Sequence, residues 1–271
     1  VYIVYIKIIK KKRILMKIIK LLAFVTVTLL AMSGTSNANI DLLPADDIVG
    51  ISFWVISMGL LAATAFFFFE IRSVASNWRT TLTVAGIITG VAFINYLYVR
   101  NVYVSQGEAS LLYRYIDWII TMPLQMIQFY LILATVRKVP KSLFWKLLIG
   151  TVVMVLAAYL GASENIPSMI GFIIGIGAWI YILYEIFSGE AGRVLVKIGN
   201  KPMVNAYVSM RMIVTVVWAI YPLGYVFGHI TNSIDDNLLN LIYNVADFIN
   251  KIVFGLVIWV AATQNTTPRN R

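Results

Sequence analysis

Residues 246–255 read ADFINKIVFG. They set Asp247 and Lys251 four residues apart within an otherwise apolar run, so on a helix the carboxylate and the amine share one face. At the middle of a bilayer either charge alone would cost several kcal/mol. The pair is therefore either a structural ion pair knitting two turns together or part of a functional site inside a membrane.

The composition makes that run a membrane segment. Of 271 residues, 60% are hydrophobic and 13% charged, whereas a soluble domain has about 45–50% and about 25%. Mean hydropathy is +0.84. The chain has no cysteine, which excludes disulfides, thiolate catalysis and Cys-ligated metals. The one histidine, His229, falls in a polar loop by pattern and excludes a His-rich metal centre. Neither an enzyme nor a metal protein is expected. The net charge of +10 lies mostly in an N-terminal basic tract and in short loops between apolar runs. It reads as membrane topology, not as affinity for nucleic acid.

Residues 16–38, MKIIKLLAFVTVTLLAMSGTSNA, have a basic start, a short apolar core and a small-residue end at Ser36-Asn37-Ala38. That is the pattern of a secretory signal peptide, cleaved after Ala38. Residues 1–15 read as an extension upstream of Met16. The expected organisation is an extension with signal peptide over 1–38, one membrane domain over 39–263, and a cytoplasmic tail over 264–271.

Crossing about 30 Å of hydrocarbon takes about 20 apolar residues in a helix. Seven runs qualify: 48–70, 78–100, 111–136, 143–162, 166–188, 204–227 and 239–263. The expected fold is an all-α seven-helix transmembrane bundle. Arg72 and Arg79 lie between runs one and two, and Arg137, Lys138, Lys141 and Lys146 between or just after three and four. Arg193, Lys197 and Lys201 lie between five and six. The alternate connections hold Glu108, Glu164, Asp235 and Asp236, with Arg100 the basic exception. The positive-inside rule places the N-terminus outside and the C-terminus in the cytoplasm, the same side that a cleaved signal peptide implies.

The third run carries Arg114, Asp117, Thr121, Gln125 and Gln128. At 100° per residue these five fall within an arc of about 80°, a polar stripe on an apolar helix. Gln128 lies about 16 Å inward of Asp117 at 1.5 Å per residue. Such a stripe serves either as glue between helices or as an ion path, and glue rarely needs an ionised group. Arg114 and Lys251 would balance Asp117 and Asp247, two charges against two. Trp118, Trp179, Trp218 and Tyr221 look like the sides of a slot for something long, flat and apolar, and a buried lysine suits a Schiff base with an aldehyde.

At this point the chain resembles the microbial rhodopsins, most closely the proteorhodopsins, over about residues 48–263. The blocks that carry the resemblance are RYIDWIITMPLQ, WAIYPLGY and NLIYNVADFINKIVFGLVIW, supported by NWRTTLTVAGIITGVAF and IIGIGAWIYILYE. The resemblance implies all-trans retinal joined to Lys251 as a protonated Schiff base, with Asp117 as counterion and proton acceptor and Asp247 as second counterion. It implies that Arg114 tunes the outward side and that Thr121 hydrogen-bonds near Asp117. Trp118, Trp179, Trp218, Tyr221 and Pro222 would box the polyene. Gln125, at a colour-setting position, implies a blue-absorbing pigment. A homo-oligomer in the inner membrane of a bacterium is expected, exchanging protons across the lipid bilayer; a transducer protein is left open.

Three departures matter. Gln128 stands where the proton pumps of the family usually carry a Glu that returns a proton from the cytoplasm, and Gln cannot do that. Asn95, in AFINY, replaces the usual His of AFWHY, which interacts with the acceptor carboxylate. Arg211, seven residues before Trp218, either faces the inner half-channel or snorkels to the interface. The expected function is a slow outward proton pump, with a slow light sensor as the alternative. Sodium pumps (Asn–Asp–Gln) and bacterial chloride pumps (Asn–Thr–Gln) share the Gln of this chain's Asp117–Thr121–Gln128 triplet but not its first residue, and both are disfavoured.

Overall fold

Among the described residues, seven helices long and apolar enough to cross a membrane arise where hydropathy places them, and polar side chains cap the start of three of them. The computed structural model describes residues 43–109 and 111–266; the expected signal peptide, its cleavage site and the last five residues lie outside the described residues. The spans are Ile48–Glu70, Ser76–Gln106, Leu111–Ala134, Lys141–Ala162, Ser168–Leu195, Lys201–Ile230 and Asp236–Gln264. All regular structure among the described residues is helical.

Asp47 caps the first span by accepting the Gly50 N–H at 2.8 Å. Asn200 caps the sixth through Met203 N–H at 3.0 Å, with Pro202 in the first turn, where its missing N–H costs nothing. Asp235 caps the seventh through Leu238 N–H at 2.9 Å. The second span runs on past residue 100 to Gln106, where Gly107 at φ 77° ends it in the left-handed conformation. Hydropathy missed these last turns because they hold Asn101, Tyr103, Ser105 and Gln106, polar residues that leave the hydrocarbon without leaving the helix. The fifth span likewise continues past residue 188 through a short helix, Glu190–Leu195. His229 belongs not to a polar loop but to the last turn of the sixth span, half-buried, its ring 5.2 Å from that of Tyr225.

Neighbours in sequence are neighbours in space from the first span to the fifth, and the seventh closes the bundle against the first, second and sixth. In the apolar stretches of the third and seventh spans 61% and 56% of residues are buried, against 28% to 44% in the other five. These two helices form the centre, and both carry the polar stripe.

Three five-residue stretches are π-helical: Ile213–Val217, Val226–Ile230 and Ile249–Val253. The Trp218 N–H, for example, reaches back five residues to Ile213 O at 3.2 Å. Wide turns of this kind rotate the side chains that follow and cluster at functional sites. One precedes Trp218; another contains Lys251.

Candidate functional site

Lys251 projects from the wide turn of the seventh span between two carboxylates. Its Nζ lies 2.6 Å from Asp117 Oδ2 and 2.8 Å from Asp247 Oδ2. All three side chains are 1% exposed. Three charges in such a place persist only if they compensate one another and their remaining lone pairs find donors.

The two carboxylates meet that requirement unequally. Asp247 Oδ2 accepts the Tyr96 hydroxyl at 2.7 Å, and Oδ1 accepts the Tyr221 hydroxyl at 2.5 Å. The Trp118 indole N–H adds a bond at 3.3 Å to Oδ1. Asp117 has the lysine alone: its Oδ1 is buried and has no donor. The Thr121 hydroxyl, expected near Asp117, bonds to the main-chain oxygen of that residue at 2.9 Å and not to its carboxylate.

Arg114 lies beside this cluster without an ion pair to either aspartate. Its guanidinium donates to Asn240 Oδ1 at 2.6 Å and to Asn244 Oδ1 at 3.2 Å. It sits 5.7 Å from the Phe53 ring and 5.4 Å from the Tyr243 ring, geometry suited to cation–π attraction. The expected neutral foursome is therefore a salt-bridged trio with a cation held to one side. The reason is local: the asparagines of the seventh span lie closer to the guanidinium than the carboxylates do.

Beyond Trp118 an apolar cavity of about 80 Å³ opens, several times the ~10–15 Å³ that holds one water. Trp118, Trp179, Trp218, Tyr221 and Pro222 all line it, so the five wall residues read from the sequence come together. Trp179 is held by its indole N–H on Val214 O at 3.2 Å. Gln125 is not among the lining residues; its amide faces Asn250 instead.

Gln128 is fully buried, with Nε2 on Thr81 O at 3.0 Å and Oε1 lacking a donor. Asn95 is half-buried and makes no hydrogen bond to Asp117, while the next residue, Tyr96, reaches Asp247. The guanidinium of Arg211 lies 4.5 Å from the Phe187 ring and 5.4 Å from that of Tyr207. It packs between rings of the fifth and sixth spans, with its Nε buried and lacking a hydrogen-bond partner.

Sequence reading missed Tyr96, Asn240, Asn244 and Asn250. Asn240 and Asn244 had a signal. Asn240, Asn244, Asp247 and Lys251 recur at spacings of four, three and four residues, a second polar stripe facing that of the third span.

The bacteriorhodopsin-like protein family matches residues 47–265. The chain is 47% identical over 227 residues to the blue-light absorbing proteorhodopsin of Gamma-proteobacterium Hot 75m4, covering 83% of this chain and 90% of that protein. It is 44% identical over 226 residues to the green-light absorbing proteorhodopsin of Gamma-proteobacterium EBAC31A08, with the same coverage of 83% and 90%. The crystal structure of the blue light-absorbing proteorhodopsin from Med12 superposes with a TM-score of 0.71 at 45% identity, covering 81% of this chain and 100% of that one. With seven spans, a buried lysine between two aspartates and likeness along nearly the whole membrane domain, the chain belongs to the bacteriorhodopsin-like family, among its proteorhodopsins.

Proposed function

We propose that this protein binds retinal through Lys251 and uses light to move protons outward across a bacterial inner membrane. The observation that carries the reading is the unequal sharing of one buried ammonium by Asp117 and Asp247. The residues fit the cofactor. Lys251 offers a primary amine, the nucleophile an aldehyde needs. The cavity is walled by aromatic rings, and two of them, Trp118 and Tyr221, also touch Asp247. When bound, retinal supplies visible absorption and a light-driven change of shape at the Lys251 nitrogen.

The chain's own residues then direct the proton. Asp247, with three neutral donors besides the lysine, stays an anion at low cost. Asp117, with one orphaned oxygen, gains most from taking a proton, so it serves as the acceptor. Arg114 lies on the side of the cluster toward the loops with Glu108 and Asp235, which the loop charges place outside. Its fixed positive charge opposes return of the proton by that route. Gln128 occupies the inward side with no proton to give, so reprotonation draws on water from the cytoplasm and the cycle is slow. The same residue supports the alternative, a slow light sensor with little net transport.

Cells supplied with retinal should become coloured, and light should acidify an unbuffered suspension until a protonophore is added. A coloured suspension without acidification would favour the sensor; colourless cells would sink the retinal reading.

A further inference from the structure

Gln125, the residue tied by resemblance to colour, is bonded to the residue that precedes Lys251. Its Nε2 donates to Asn250 O at 2.8 Å and to Asn250 Oδ1 at 3.0 Å, and its Oε1 accepts from Asn250 Nδ2 at 3.4 Å. Asn250 is the residue immediately before Lys251. Its Oδ1 also accepts the Trp218 indole N–H at 2.7 Å, and its Nδ2 reaches the Tyr221 hydroxyl at 3.4 Å. That hydroxyl in turn donates to Asp247. Gln125 and Asn250 are fully buried, and Trp218 and Tyr221 are 2% and 8% exposed.

The backbone explains why the amide pair is needed. In the wide turn Ile249–Val253 the Phe254 N–H turns to Lys251 O instead of Asn250 O, its partner in a regular α-helix. A buried carbonyl deprived of that donor needs another, and Gln125 Nε2 supplies one. Gln125 thus holds the turn that carries Lys251, while the Asn250 side chain holds Trp218 and Tyr221, two walls of the cavity.

We propose that Asn250 is a positioning residue that couples the third, sixth and seventh spans, and that Gln125 acts on colour through it. This rests on retinal binding at Lys251. Leucine at 125 frees the Asn250 amide, and the wide turn and both aromatic walls relax together. The two residues then behave as one unit, whereas independent contacts with the chromophore would add.

The test is a double-variant cycle read by absorption maximum: the parent, Gln125→Leu, Asn250→Ala and both together, each full-length and loaded with retinal. The Gln125→Leu shift should shrink to about a third or less when Asn250 is already Ala. Equal shifts in both backgrounds would overturn the coupling. If Asn250→Ala yields no pigment, Trp218→Phe removes one of its bonds while keeping an aromatic wall, and the same cycle is run with it. A second arm needs no retinal. In the retinal-free protein, hydrogen exchange at the amides of residues 252–255 should rise about tenfold in Gln125→Leu and by much less in Asn250→Ala, which keeps the main-chain oxygen that Gln125 holds. Unchanged exchange in Gln125→Leu would also overturn the clamp. A parent that takes up no retinal would refute the retinal reading alone, since the exchange arm still reports on the clamp.

Discussion

Asp117 and Asp247 hold the same ammonium, at 2.6 Å and 2.8 Å, yet they are not equivalent. Asp247 receives bonds from Tyr96, Trp118 and Tyr221, whereas Asp117 keeps one buried oxygen without a donor. One carboxylate is built to stay charged and the other to accept a proton.

Lys251→Ala should leave cells colourless when retinal is added, because the amine that forms the link is gone. It also strands two buried carboxylates, an effect of about 3–5 kcal/mol when one partner of a buried pair is removed. Absorption spectra and thermal unfolding check both parts. A coloured Lys251→Ala protein would refute the attachment site.

Asp247→Ala should destabilise the protein more than Asp117→Ala. In either variant the lysine keeps one carboxylate, but the former also orphans two hydroxyls and an indole N–H, each worth about 1–3 kcal/mol when left buried and unpaired. Thermal unfolding of the retinal-free variants ranks them. The reverse ranking would show that the Tyr96, Trp118 and Tyr221 bonds contribute little.

Asp117→Asn should abolish light-driven acidification while the protein still takes up retinal, since an amide cannot accept the proton that leaves Lys251. Absorbance should move to longer wavelength as the negative charge beside the lysine is lost. Full acidification by Asp117→Asn would assign the acceptor elsewhere.

Gln125→Leu should also move the absorbance to longer wavelength, from blue toward green. A shift to shorter wavelength, or none, would remove Gln125 from colour setting.

Gln128→Glu should speed recovery of the dark absorbance after a flash by about a hundredfold, the lower end for a positioned general acid. In the unaltered protein protons come from bulk water, so recovery should slow as pH rises; an internal carboxyl should flatten that dependence near neutral pH. Millisecond recovery independent of pH in the unaltered protein would mean that another group is the donor.

The seven spans were legible in the sequence because a bilayer demands long apolar runs, and loop charge suggested their orientation. The stripe from Arg114 to Gln128 was legible too, since helical period alone puts those residues on one face. So were the five aromatic and proline wall residues, through their likeness to a known family. Helix ends beyond the hydrocarbon were not, because polar residues such as Tyr103 and Gln106 continue a helix without marking it. Nor was it legible that Arg114 turns to Asn240 and Asn244, that Thr121 bonds to a main-chain oxygen, or that Gln125 grips Asn250. Periodicity reports which face of a helix a side chain occupies. The partner it meets depends on the rotation and height of the helix opposite, and here a π-helical turn at Ile249–Val253 alters both. Only packing the second, third and sixth spans around the seventh decides which of two aspartates is left with an unsatisfied oxygen.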